Sequence, residues 1–153
     1  MKETDKSQLA RYIRNIIYLT DEQLALILSF FKVTTHIKNE IIIDVGEINT
    51  YMNFIEKGCL RMFFIGEDGQ EVTRNISFEN QFATGLASFI QQLPSEESLQ
   101  ALEPTTLFRI ARKDFYYLLN VIPAWEKFYR NYLEFAYLNN ISIYQREMMK
   151  DAT

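Results

Sequence analysis

The sequence predicts an α+β fold: an antiparallel β-roll (a double-stranded jelly roll) with N-terminal helices and a long C-terminal helix. Three observations carry this. Apolar residues recur at three- and four-residue steps before residue 32 and again after residue 111. Between those limits the period drops toward two. Turn residues punctuate that middle region every few positions, as in barrels and rolls built from short strands rather than in strand–helix–strand units.

In chain order, residues 6–31 form the N-terminal helices. Leu9, Ile13, Ile16 and Ile17 mark the first, and Leu24, Ile27, Leu28 and Phe31 mark the second. Thr20 and Gln23 have the spacing of a capping box at the start of the second. The roll spans 33–111. Ile41–Asp44 closes at Gly46, Tyr51–Glu56 closes at Lys57-Gly58, and Cys59–Ile65 and Gln70–Ile76 flank Gly66-Glu67-Asp68-Gly69, the spacing of a hairpin. Ser98–Leu102 and Thr105–Ile110 follow around Glu103-Pro104. Residues 112–122 form a short helix, and 123–151 form one long helix, where Pro123 suits the first position because its missing N–H would go unpaired anyway.

The long helix carries two apolar stripes. Trp125, Phe128, Tyr129, Tyr132, Phe135, Ala136 and Ile143 share one side, and Leu133, Tyr137, Ile141, Tyr144 and Met148 another. A helix with one neighbour needs one stripe, so the second predicts a homodimer through this helix, with Trp125, Phe128, Tyr132, Phe135 and Asn139 at the interface.

Composition removes whole classes of function. Hydrophobic residues make up 48% of the 153 residues and aromatic residues 14%, too many for a disordered chain. The net charge of −4 argues against this segment gripping nucleic acid by itself. A single histidine, His36, and a single cysteine, Cys59, leave no metal or nucleophilic constellation, so neither an enzyme nor a metal or other cofactor is expected. The polar start of the chain lacks a signal-peptide pattern and no apolar run reaches the ~20 residues of a membrane span, so a cytoplasmic protein with no membrane partner is expected.

Several local stretches resemble one family. Gly46-Glu47-Ile48 with Phe54–Arg61, the hairpin Gly66–Glu71, Asn80–Ser88 and Ile110–Phe115 follow in the order of the sensor half of the Crp/Fnr transcription regulators, in the style of the divergent Bacteroidetes-type branch. The resemblance implies the effector-sensing and dimerisation half of a DNA-binding regulator, whose DNA contacts come from a winged helix-turn-helix absent from this segment. The alternative is a stand-alone cyclic-nucleotide-binding-like module that acts by ligand binding or protein pairing without DNA.

The family's phosphate-binding cassette aligns with Phe82–Ser88. Cyclic-nucleotide-binding members carry a ribose-binding Glu there and a phosphate-binding Arg before the next strand. Here those stretches read Thr84-Gly85-Leu86-Ala87-Ser88 and Pro94-Ser95-Glu96-Glu97-Ser98, without the acid and without the Arg. An ordinary response to cyclic AMP is therefore not expected, because a cyclic phosphate would lack its charge-assisted partner. The candidate small-molecule site comprises Thr84, Gly85, Leu86, Ala87 and Ser88, taken as the start of a short helix with hydroxyls available to a ligand. Arg61 and Arg74 join it, since strand alternation could turn either inward as a counter-charge.

Overall fold

This computed structural model describes residues 5–151, with side chains through residue 140 and at positions 145, 148 and 149. The helices α1 (Ser7–Arg14) and α2 (Asp21–Ser29) stand first. Helix α1 buries Leu9 and Ile13 and keeps Arg11 and Arg14 in its last turn, where cations suit the negative end of the helix dipole. Helix α2 opens with the predicted capping box: Thr20 Oγ1 accepts the Gln23 N–H at 3.1 Å, and Gln23 Oε1 accepts the Thr20 N–H at 3.0 Å.

The roll follows as β1 (Lys32–His36), β2 (Ile41–Ile43), β3 (Tyr51–Lys57), β4 (Leu60–Ile65), β5 (Glu71–Ser77), β6 (Phe82–Ala83), α3 (Leu86–Gln91), β7 (Ser98–Ala101) and β8 (Thr105–Ala111). Two four-stranded antiparallel sheets form, in the orders β1-β8-β3-β6 and β2-β7-β4-β5. The predicted β4–β5 hairpin turns through Gly69, at φ +81°, with the Gly66 N–H donating to the Gln70 carbonyl at 2.8 Å. Strands β1 and β6 had no separate signal in the sequence. Two residues are too few to show a period, so β6 is identifiable only by its pairing with Asn53 and Phe54.

Alternation along β3 and β8 divides the core. Met52, Phe54, Phe108 and Ile110 face the helices, where Leu9, Ile13, Phe31, Phe82, Phe89 and Phe115 join them. Ile55 and Leu107 point into the roll, against Ile43, Leu60, Met62 and Leu99. A sheet covered on both faces draws apolar residues to both, which accounts for the crowding of Phe, Ile and Leu in these strands, while Asn53 and Arg109 satisfy each other on the roll-facing side.

The chain closes with α4 (Arg112–Val121) and α5 (Pro123–Asp151). At 1.5 Å per residue, the 29 residues of α5 extend about 43 Å. Its first turns belong to the chain's own core. Trp125 is fully buried and stacks on Phe128 at 4.4 Å, and its ring meets Phe115 at 5.3 Å. This corrects the expected interface: Trp125 and Phe128 spend their surface on α4 and the roll and leave nothing for a second chain. Further along, Phe135, Tyr137 and Leu138 are 55%, 64% and 65% exposed. Ile141, Ile143 and Tyr144 of the two predicted stripes lie outside the described side chains. Among the described residues no helix is long and apolar enough to cross a membrane.

Candidate functional site

Strands β5 and β6 each end their sheet, so the roll is open between them, and α5 lies across the opening. Beneath the helix is a cavity of about 270 Å³, bounded by β5, the β6–α3 segment, Met62 and Leu99 of the roll, and Tyr132, Phe135, Ala136, Asn139 and Asn140 of α5. Those five helix positions share the i, i+3, i+4, i+7, i+8 face that an amphipathic helix turns toward its neighbour.

A β-bulge decides which charge reaches this cavity. Met62 pairs with Asn75 and Phe63 with Thr73, so Arg74 is the unpaired extra residue of β5. In strict alternation Arg74 would oppose the faces of both neighbours; the bulge releases it and bends the strand, and its side chain lines the cavity. Its Nε donates to Glu97 Oε2 at 2.5 Å and its Nη1 to Asn140 Oδ1 at 2.6 Å. Arg74 thus ties the segment before β7 to α5, and its charge is met within the chain.

Arg61 goes the other way. It sits opposite Gln100 on the outer face of its sheet, over the Phe63 ring, and donates to Gln100 Oε1 at 2.7 Å and Glu71 Oε2 at 2.6 Å. With that face and those partners, Arg61 is not among the residues that line the cavity.

The cassette-like stretch is occupied by its own hydrogen bonds. Buried Asn49 organises it: its Nδ2 donates to Thr84 Oγ1 and to the Gly85 carbonyl, and its backbone N–H donates to Ser88 Oγ at 2.9 Å. The Thr84 hydroxyl donates to the Tyr51 carbonyl at 2.8 Å, and the Ser88 hydroxyl to the Leu93 carbonyl at 2.5 Å. Helix α3 starts at Leu86, one turn and a half long, with Gly85 as its N-cap. The expected free hydroxyls of Thr84 and Ser88 are therefore engaged, because a buried hydroxyl without a partner would be destabilising. Of this stretch Thr84 and Leu86 line the cavity; Gly85, Ala87 and Ser88 do not, and Ala87 is exposed.

Sequence reasoning missed Asn49, Asn75 and Gln81. Asn75 and Gln81 line the cavity: Asn75 is paired with Met62 across the hairpin, and Gln81 stands just before β6, its carbonyl accepting the Ile55 N–H at 3.0 Å, placements that depend on strand register and not on local pattern. The Tyr132 side chain is partly buried between α5 and the roll, and desolvation pushes its phenol well above the ordinary range and keeps it a neutral donor. Arg109 shares the roll-facing side of β8 with Leu107, donates to Asn53 Oδ1 at 2.7 Å and stacks on Tyr51; burial lowers its pKa. Among the described residues no cluster of His, Cys, Asp and Glu could hold a metal ion.

Residues 35–121 match the family model of the cyclic nucleotide-binding domain. The fold is similar to a cyclic nucleotide-binding domain from Methylobacillus flagellatus KT, with a TM-score of 0.80 and 18% identity over 94% of this chain and 83% of that one. It is also similar to the sensor domain of the transcriptional regulator DNR from Pseudomonas aeruginosa, with a TM-score of 0.67 and 18% identity over 95% and 91% of the two chains. The catabolite activator protein of Thermus thermophilus aligns at a TM-score of 0.67 and 22% identity, over 88% of this chain and 60% of that one. At these identities the likeness is one of fold. No curated protein matches the sequence.

Proposed function

The chain belongs to the cyclic nucleotide-binding domain family, and from that premise we propose that it is the effector-sensing and pairing half of a Crp/Fnr-type transcription regulator in the cytoplasm. DNA would be read by a winged helix-turn-helix outside this segment. One observation carries the reading: α5 both roofs the cavity and presents Tyr137 and Leu138 uncovered on its other side. A change in the cavity therefore bears on the same helix that offers itself to a second copy. The pairing surface we assign is Tyr137 and Leu138, with Phe135 at its edge, since Tyr132 and Asn139 face the cavity.

The effector is not a cyclic nucleotide held in the usual way. Among the described residues lining the cavity Arg74 is the one Arg, Lys, Asp or Glu, and it is already paired with Glu97. A cyclic phosphate placed beside it would meet that carboxylate without a second cation.

Light scattering tests the pairing. The expected mass is twice the 18.1 kDa of one chain, and Leu138→Glu should return it to one, because a charge would be buried unpaired at the seam. A wild-type monomer at tens of micromolar overturns this part. Calorimetry with cyclic AMP and cyclic GMP should show no micromolar binding; such binding to either overturns the other part.

A further inference from the structure

The lining of the cavity is a set of uncharged hydrogen-bonding groups with capacity to spare. Tyr132 Oη and the Asn139 amide make no side-chain hydrogen bond to any described residue. Asn75 uses only Nδ2, in a 3.5 Å contact to Ser77 Oγ, and Gln81 uses only Oε1, which accepts the Phe78 N–H at 2.8 Å. Each of the three amides offers a donor and an acceptor side by side. Leu86, Leu99 and Phe135 supply apolar wall between them. The volume, about 270 Å³, is at the lower edge of the ~300–1,000 Å³ common for ligand pockets.

Charge narrows the class further. An anion would have to draw Arg74 away from Glu97 and Asn140 while facing the displaced carboxylate. A cation would lie against Arg74, and the described residues of the cavity wall include no carboxylate to receive it. An uncharged molecule meets neither penalty, and its polar edge relieves groups that otherwise sit half-buried without partners.

We propose that this cavity binds a small uncharged molecule with an amide-like edge on an apolar ring, held by Asn75, Tyr132 and Asn139, while Arg74 serves as an internal tie to α5 and not as a counter-ion. The assignment rests on the sensing reading above and gives it a ligand class. Because Tyr132 and Asn139 stand on α5, such a ligand joins the roll to the helix that carries the pairing surface.

Matched pairs of nearly equal size and opposite character test it: nicotinamide against nicotinate, and benzamide against benzoate, at millimolar concentration by saturation-transfer NMR and thermal shift on the full 153-residue chain. At least one amide should bind, and its carboxylate partner should bind about tenfold or more weakly, as expected for losing a hydrogen-bond donor and adding an unpaired charge. Tyr132→Phe, which keeps the ring, should weaken the amide about fivefold. Ala136→Phe, which fills the cavity from α5, should abolish binding with the helical circular-dichroism signal retained. If a carboxylate binds as well as its amide, the ligand class is wrong while a sensing cavity stands. If no probe binds, or if binding survives both variants, the cavity assignment is wrong; light scattering then decides the pairing reading separately.

Discussion

Replacing Asn49 with alanine should be among the most damaging single changes outside the aromatic core. Asn49 is 3% exposed, and its side chain makes three hydrogen bonds: to Thr84 Oγ1, to the Gly85 carbonyl at 3.1 Å, and from the Tyr51 N–H at 3.2 Å. At a net ~0.5–1.5 kcal/mol each, their loss amounts to about 3 kcal/mol, and the Gly85 carbonyl also loses its side-chain donor. For a chain of this size each kcal/mol is worth roughly 2–4 °C, so Tm should fall by about 6–12 °C. Urea unfolding followed by the fluorescence of Trp125, the single tryptophan, reads the core, and far-UV circular dichroism gives an independent probe. The two transitions should coincide and the m-value should hold, so that the whole effect appears in the midpoint. Asn49→Asp keeps the acceptor for Tyr51 but loses both donors and buries a carboxylate, so at neutral pH it should be at least as destabilising. A loss below about 1 kcal/mol for Asn49→Ala would refute the idea that this residue holds the β6–α3 segment closed.

Gly58 sits at φ +103°, and a Cβ there would fall 2.8 Å from the Pro104 carbonyl and the Thr105 Cα, so Gly58→Ala should destabilise by at least the ~1–3 kcal/mol of backbone strain; an unchanged denaturation midpoint would contradict that close approach. Burial, with Glu103 and Glu79 nearby, raises the Cys59 thiol pKa, so its alkylation by iodoacetamide at pH 7 should run slower than that of free cysteine, and an equal or faster rate would show the thiolate is accessible and favoured. The Gly58 N–H donates to Glu79 Oε1 at 3.0 Å and holds that carboxyl below its ordinary 4.5. A folded-state pKa below the unfolded one gives stability that is complete above the unfolded value and is lost as pH falls through the folded value. Acid titration of stability should therefore be shallower in Glu79→Gln than in wild type; superimposable acid limbs would remove Glu79 from the account.

Much of the frame was legible in the residues. The capping box at Thr20 and Gln23, the Gly66–Gly69 hairpin and the Pro123 helix start are local rules, each satisfied within a few positions of itself, and each stands in the structure as read. The candidate site was legible only in part. Arg61 and Arg74 looked equivalent, one on each arm of a hairpin. A bulge between Met62 and Phe63 separated them, and bulges belong to the pairing of two strands, not to either strand alone. Thr84 and Ser88 looked available because their partner, Asn49, lies 35 and 39 positions away.

Helix α5 shows the division most clearly. Its apolar period determined, without any tertiary information, that a long helix would exist and that it carries more apolar surface than one face needs. Which neighbour takes each stretch was decided by packing. Phe115 and the helix-facing core claim Trp125 and Phe128, the open edge of the roll claims Tyr132, Ala136 and Asn139, and Tyr137 and Leu138 are left to solvent. Periodicity records which side chains share a face; it holds no record of what stands opposite, because that depends on contacts between residues far apart in the chain, here between α5 and strands roughly 50 to 70 residues before it.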